Sequence, residues 1–279
     1  DYAWDGYLYS RPDSAFYFAQ LMYDFAEQRN LQIYMADGLN IQGLAMEVQG
    51  ENVEALRLFH RSRELYELEK DRSGIAAAWQ NIGSIYESLG DYPRTLMGYQ
   101  KSLKLYEDLG KYSGMARSFN NIGIVYKVQN EPEHALVNFE KSLALFTEIQ
   151  DQRGIANSLQ NIGIIHSNAN AFDKALVCYM KSLNLYRLLN DEWGTAAALN
   201  NIGSLHVSLK NFSSALDYFN QSIVIREQIS DDIGIARTSH NIGTVYLDRK
   251  DYGNAKSWCT KSLDLAQKSR RNSRTEGCM

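Results

Sequence analysis

Residues 71–110 carry a hydrophobic pattern that reads as two helices. Ile75, Ala78, Trp79, Ile82, Ile85, Tyr86 and Leu89 recur at steps of three and four, which puts them on one helical face. Gly90-Asp91 interrupts the pattern. The Gly suits a left-handed helix end, and the Asp can cap the next helix. Tyr92, Leu96, Tyr99, Leu103, Leu105 and Tyr106 then line a second buried side. Each helix is expected to run about 18 residues, or about 27 Å at the standard rise. No segment alternates as a half-buried strand does, so the expected class is all-α.

The same unit recurs. Asn-Ile-Gly stands at 81–83, 121–123, 161–163, 201–203 and 241–243, always 40 residues apart. Gly74, Gly114, Gly154, Gly194 and Gly234 keep that register, with Ala at 76, 116, 156, 196 and 236. So do Ser62, Ser102, Ser142, Ser182, Ser222 and Ser262, and Ala55, Ala135, Ala175, Ala215 and Ala255, with Thr95 the one departure from the Ala series. An older copy shows at Asn40-Ile41-Gln42-Gly43, where Gly43 aligns with Gly83. A fixed long period means stacked copies of one supersecondary unit. Six copies follow: 31–70, 71–110, 111–150, 151–190, 191–230 and 231–270. Asp71, Asp151, Asp191 and Asp231 stand where a first helix begins, as N-cap candidates.

Trp79-x2-Ile82-Gly83-x2-Tyr86, then Gly90, Tyr92, Thr95 and Tyr99, resembles the tetratricopeptide repeat. The resemblance covers about residues 31–270 and implies a right-handed α-solenoid of antiparallel helix pairs, A and B. The Gly at 83, 123, 163, 203 and 243, and the Ala series, then become close contacts between A and B, where a larger side chain would cost about 1–3 kcal/mol. The common period of this family is about 34 residues. The six additional residues are expected to lengthen helix B and the start of helix A. Such long repeats resemble those of kinesin light chains, spindle-orientation adaptors and bacterial signalling proteins. A finer resemblance rests on Ala3-Trp4-Asp5-Gly6-Tyr7-Leu8 and Pro12-Asp13-Ser14-Ala15-Phe16-Tyr17-Phe18-Ala19, followed by repeats reading Gly-Ile-Ala…Asn-Ile-Gly. These look like arrays that precede an adenylate/guanylate cyclase or a histidine kinase. The chain contains none of the effector's own residues.

In the family, helix A lines the concave face, and the residues three and two before its Gly, with the one after it, face the groove. Here the first series is Asn40, Gln80, Asn120, Gln160, Asn200 and His240, and the second Asn81, Asn121, Asn161, Asn201 and Asn241. An amide carries both donor and acceptor, so a ladder of them can pair with the backbone of an extended peptide whatever its sequence. Asn in the second series can equally hydrogen-bond neighbouring helices of the stack, and the sequence leaves both roles open. Arg117, Lys127 and Arg237 add positive charge on or near this face, which favours an acidic ligand. Each hydrogen bond nets about 0.5–1.5 kcal/mol, so a few of them suggest roughly micromolar binding.

The flanks differ from the repeats. Residues 1–30 read as an aromatic segment, with Tyr2, Trp4, Tyr7 and Tyr9, followed by a capping helix over about 14–29. Asp13 is its expected cap, and Phe16, Ala19, Leu21, Met22, Phe25 and Ala26 its buried side. From Lys268 the pattern is expected to leave the helix, making 271–279 a tail or linker.

Composition narrows the function further. A net charge of −4 over 279 residues leaves no broad basic footprint for nucleic acid. No apolar run approaches the roughly 20 residues of a membrane span, so no direct membrane insertion is expected. Cys178, Cys259 and Cys278 have no CxxC partner, and Cys178 reads as a core residue. His60, His134, His166, His206 and His240 lie in separate repeats. His166 and His206 stand where other copies have Tyr86, Tyr126 and Tyr246, and read as packing substitutes. No catalytic group, metal site or cofactor is expected. The expected function is protein or peptide binding in the groove, as the sensor region of a larger signalling protein. The alternative is a structural, self-associating module. Localisation stays open: cytoplasmic by default, periplasmic if the array belongs to a membrane-bound signalling protein.

Overall fold

The computed structural model describes residues 11–276, with side chains through 268. The aromatic residues Tyr2, Trp4, Tyr7 and Tyr9, the motif 3–8 and Cys278 lie outside the described residues. The described chain is thirteen helices and no strand: α1 Pro12–Glu27, α2 Gln32–Val48, α3 Asn52–Leu68, α4 Arg72–Ser88, α5 Tyr92–Asp108, α6 Tyr112–Val128, α7 Pro132–Glu148, α8 Gln152–Asn168, α9 Phe172–Leu188, α10 Glu192–Ser208, α11 Phe212–Gln228, α12 Asp232–Asp248 and α13 Tyr252–Glu276. This is the all-α helical repeat expected from the sequence. From α2 to α12 every helix has 17 residues. The long period is therefore met by two equal helices, not by a longer helix B.

A four-residue turn joins α1 to α2 and three-residue turns join the other helices, each around a residue in the left-handed region. These residues are Asn30, Gly50, Lys70, Gly90, Gly110, Asn130, Gln150, Asn170, Asn190, Lys210, Ser230 and Lys250, at φ from 52° to 80°. At Gly90, its N–H donates to the Glu87 carbonyl at 2.9 Å and the Asp91 N–H reaches back to the Tyr86 carbonyl at 2.9 Å. These bonds satisfy carbonyls that a helix end otherwise leaves open. The next helix begins at once. Asp91 caps α5, and Asp71, Asp151, Asp191 and Asp231 cap α4, α8, α10 and α12, each accepting a backbone N–H through its carboxylate.

Two ends depart from the sequence reading. α1 starts at Pro12 with Arg11 before it, so Asp13 lies in the first turn and accepts from Gln49 Nε2 instead of capping. Its buried side is Ala15, Ala19 and Ala26, while Leu21 and Phe25 face solvent with Tyr17 and Phe18. At the other end α13 continues to Glu276, past Lys268 where the helix was expected to stop.

Contacts divide the chain into two compact units, residues 1–145 and 146–279. In the first, α2 packs on α3 and α4 on α5 as hairpins, with α1 on α2, α3 on α4 and α5 on α6 continuing the stack. In the second, α8–α9, α10–α11 and α12–α13 pair in the same way, joined through α9 on α10 and α11 on α12.

The repeat Gly residues make these contacts against rings. A Cβ at Gly83 would stand 2.7 Å from the Tyr99 ring, and Gly123, Gly163 and Gly203 meet Phe139, Tyr179 and Phe219 in the same way. The second Gly series lies under another set of helix-B rings: Gly74 beneath Tyr66, Gly114 beneath Tyr106, Gly154 beneath Phe146 and Gly194 beneath Tyr186. The Ser series is fully buried from 62 to 222. Ser62, Ser182 and Ser222 donate to the carbonyls of Ala36, Ala156 and Ala196 at 2.8–2.9 Å, tying helix B to the backbone of helix A.

Candidate peptide-binding face

Within each repeat the three A-helix positions at −3, +1 and +4 from the Gly share one face, because steps of four and three return to the same side of a helix. In the first unit this face carries Asn40 and Glu47 on α2, Gln80, Ser84 and Glu87 on α4, and Asn120 and Lys127 on α6. The Asn at −2 lies beside it at 81 and 121. In the second unit Gln160, Asn200 and His240 occupy −3 on α8, α10 and α12, flanked by Asn161, Asn201 and Asn241. His240 is exposed and Asn200 is buried, so the series is not uniform.

The two amide series are linked to each other. Asn81 Nδ2 donates to Asn40 Oδ1 at 2.8 Å, and Asn241 Nδ2 donates to Asn200 Oδ1 at 3.0 Å. Thr238 adds a second bond to Asn200 Oδ1 at 3.2 Å, which accounts for its burial at 7% exposure. Asn120 and Asn161 also have partners. Where the −3 residue is Gln, the pattern changes. Gln80, Asn121 and Asn201 are half-buried and make no side-chain hydrogen bond among the described residues, and the Gln160 carbonyl oxygen is buried without a partner. The Asn-to-Gln alternation at −3 thus separates amides that hold the stack from amides left available. Sequence reasoning treats the two residue types as equivalent; the alternation itself is the signal.

The charges on this face are mixed. Arg117 and Arg237 are exposed. Burial pushes the Lys127 ammonium below its ordinary pKa, and Glu87 pulls it back up. Glu47 and Glu87, which the sequence reading passes over, stand at +4, the same register as Lys127. Ser84 Oγ donates to Glu47 Oε1 at 2.5 Å, and Tyr99 Oη donates to Glu87 Oε2 at 2.6 Å. The first unit therefore does not present the positive face that Arg117 and Lys127 alone suggested.

Glu47 is held above its ordinary pKa of 4.5, first by burial and then by Glu87, while the Ser84 bond works the other way. A carboxylate raised in the fold stabilises it fully only below the unfolded pKa, and that contribution is lost as pH rises through the folded value. Glu47→Gln keeps an acceptor for Ser84 and removes the buried charge. We expect its melting temperature to exceed the native one at about pH 7 and to match it at about pH 3.

Of the remaining His and Cys residues, His134 and Cys259 are exposed, and Cys178 is short of the core position expected for it. The His206 ring stacks on Tyr218 at 5.4 Å and 9°. Cys178 is half-buried, and burial raises its thiol pKa. Trp258 packs against the cluster of Ala215, Phe219, Ile223, Ile242 and Val245. No helix among the described residues is long and apolar enough to cross a membrane.

The tetratricopeptide-repeat family pattern matches residues 34–108, 74–148, 114–188, 154–228 and 236–269. The chain belongs to the tetratricopeptide repeat family. No curated protein matches the sequence. Solved structures share the fold at low identity. BtubC from P. vanneervenii is 18% identical with a TM-score of 0.63, over 81% of this chain and 91% of that one. The apo form of RapI is 15% identical with a TM-score of 0.66, over 85% and 99%. The Rap conjugation gene regulator of plasmid pLS20, in complex with the Phr* peptide, is 12% identical with a TM-score of 0.68, over 92% and 75%.

Proposed function

We propose that this tetratricopeptide array binds an extended peptide segment on its helix-A face, through the amides that the stack leaves unpaired. The observation that carries the reading is the alternation. Asn40–Asn81 and Asn200–Asn241 are closed pairs, whereas Gln80 and Asn121 in one unit, and Gln160 and Asn201 in the other, keep unspent donors and acceptors. The buried Gln160 carbonyl oxygen is costly to leave without a donor, the half-buried amides keep polar groups open to a ligand, and an extended backbone supplies the complementary N–H and C=O groups. A similarly folded regulator that carries a peptide supports the same use of the fold.

The test is selection from a displayed library of random peptides on the native chain, with two double variants compared for affinity. Asn121→Ala with Asn201→Ala is expected to weaken the selected peptides by about tenfold or more, in line with one to two lost hydrogen bonds, and to leave the melting temperature unchanged. Asn81→Ala with Asn241→Ala is expected to lower the melting temperature, because it strands the Asn40 acceptor and takes one of two donors from Asn200. A native chain that selects no peptide, or an Asn121/Asn201 variant that binds as well as native, would contradict the proposal.

We further infer that the array serves as the sensor region of a larger bacterial signalling protein. Support comes from the likeness of Pro12–Ala19 and of the Gly-Ile-Ala…Asn-Ile-Gly repeats to arrays that precede cyclases and histidine kinases. A bound peptide then changes the output of the full-length protein, and an output indifferent to saturating peptide would exclude it.

A further inference from the structure

A cavity of about 560 Å³ opens between α1, α2 and α3, using Leu39 and Gln42 of α2 and not the amide face of Asn40. Its volume lies within the range of small-ligand sites. Gln42 is the unusual residue. It holds the position that Ile82, Ile122, Ile162, Ile202 and Ile242 fill in the later repeats, and like them it is buried, at 3% exposure. An amide in a core position is costly unless its polar atoms are satisfied.

A chain of bonds fixes how this amide is oriented. Asp24 only accepts, so the Gln20 Nε2 donates to it, at 2.7 Å. That leaves the Gln20 Oε1 to accept from Gln42 Nε2, at 2.9 Å. The Gln42 carbonyl oxygen then has no partner among the described residues and calls for a donor. Around it, Leu39, Leu58 and Tyr23 supply an apolar wall. On the rim, Arg57 and Arg61 stand one turn apart on α3, so their guanidinium groups share a side of the helix. Their present partners, Glu54 and Glu64, are exposed i,i+3 pairs on the same helix, and such pairs hold little. Glu64 lines the cavity as well, so a ligand carboxylate would take its place on Arg61, and with both arginines already paired there is no surplus charge for a polyphosphate.

We propose that this cavity binds a small aromatic acid with one hydrogen-bond donor. The ring lies against Leu39 and Leu58, the donor meets the Gln42 carbonyl, and the carboxylate meets Arg57 and Arg61. The site is separate from the helix-A face and does not depend on peptide binding there.

The experiment titrates the full chain with 4-hydroxyphenylacetic acid and follows it by isothermal calorimetry and backbone amide shifts. Saturable binding is expected in the millimolar range or tighter, as suits a ligand of about a dozen non-hydrogen atoms. Phenylacetic acid, lacking the donor, and 4-hydroxyphenylacetamide, lacking the charge, are each expected to bind about tenfold more weakly. Gln42→Ile restores the residue of the other repeats and is expected to abolish the advantage of the hydroxyl. Arg57→Gln with Arg61→Gln is expected to abolish the advantage of the carboxylate, and does so from exposed positions where folding is not at stake. Asn121→Ala with Asn201→Ala is expected to change neither. Absence of saturable binding in the native chain, or full discrimination retained by both cavity variants, would overturn the proposal.

Discussion

Gly194→Ala is expected to destabilise the chain by about 1–3 kcal/mol, the range for overpacking a filled contact. Two effects compete at this position. Gly costs about 0.8–1.0 kcal/mol relative to Ala inside a helix, so propensity alone would make the substitution stabilising. Packing opposes it, since a Cβ on Gly194 would fall inside the van der Waals envelope of the Tyr186 ring, at Cδ1 and Cε1. Tyr186 is 3% exposed and its hydroxyl donates to Asn157 Oδ1 at 2.6 Å, so the ring is held at both ends. Packing outweighs propensity here and sets the sign. Gly253→Ala is the control, because the nearest atom to its Cβ is Asp251 Oδ1 at 3.9 Å. Urea unfolding is expected to show a loss at 194 and none at 253. Equal stabilisation at both sites would mean the Gly series does not serve ring packing.

The second large effect is expected at Asp231. Arg226 takes the place that Tyr66, Tyr106, Phe146 and Tyr186 hold in the earlier repeats, and its side chain is 2% exposed. Burial and Arg237 both act against its charge, and Asp231 holds it through an ion pair buried to 5% exposure. Arg226 Nε also donates to Ser222 Oγ at 3.2 Å, while its Nη2 is buried without a partner. Asp231→Ala removes the counter-charge and leaves the guanidinium buried, which costs about 3–5 kcal/mol. It also removes the cap of α12, where Asp231 Oδ1 accepts the Gly234 N–H at 2.8 Å. Asp151→Ala removes only a cap, at 3.0 Å to Gly154, and is expected to cost about 1 kcal/mol. Arg226→Tyr restores the ring of the other repeats and leaves Asp231 its cap bond to the Gly234 N–H, as Asp191 keeps its bond to Gly194 beside Tyr186, so it is expected to lose less than Asp231→Ala. Denaturant melts of the three variants give the comparison. A loss at Arg226→Tyr equal to that at Asp231→Ala would show the pair itself to be the stabilising element.

The architecture was legible because everything that specifies it is periodic. The Gly, Ala and Ser contacts recur every 40 residues, and the Asp caps stand at the helix starts that the hydrophobic steps predict. The helix ends were only partly legible. Gly90 announces a left-handed turn, but most of its counterparts are Asn, which tolerates that conformation, or Lys, Gln and Ser, which sequence alone does not mark for it. Asp13 resembled a cap, yet Pro12 already suits the first helical position and moves the start ahead of it.

The site was less readable, because its information lies in the departures from the repeat. Asn and Gln differ by one methylene, and a reading by residue class treats them alike. In the stack that methylene decides whether the following Asn finds an acceptor. Gln42 in place of Ile and Arg226 in place of Tyr or Phe are likewise exceptions in a regular series, and each brings a buried polar group with a partner outside its own helix. Glu47 and Glu87 shared the register of Lys127, so their place on the face was available from spacing; their hydroxyl partners were not.

If unpaired amides grip a peptide backbone, the bonds must run to the peptide's own N–H groups. A backbone N-methyl scan of one selected peptide probes them one at a time, with affinities measured by fluorescence anisotropy on the native chain and on the Asn121→Ala, Asn201→Ala variant. Methylating particular amides is expected to weaken native binding by about tenfold each, the worth of one hydrogen bond to a desolvated group. On the variant, those same methyl groups should have little further effect, because the partner amides are gone. N-methylation that leaves native affinity unchanged, with side-chain substitutions instead abolishing binding, would contradict backbone recognition by these amides.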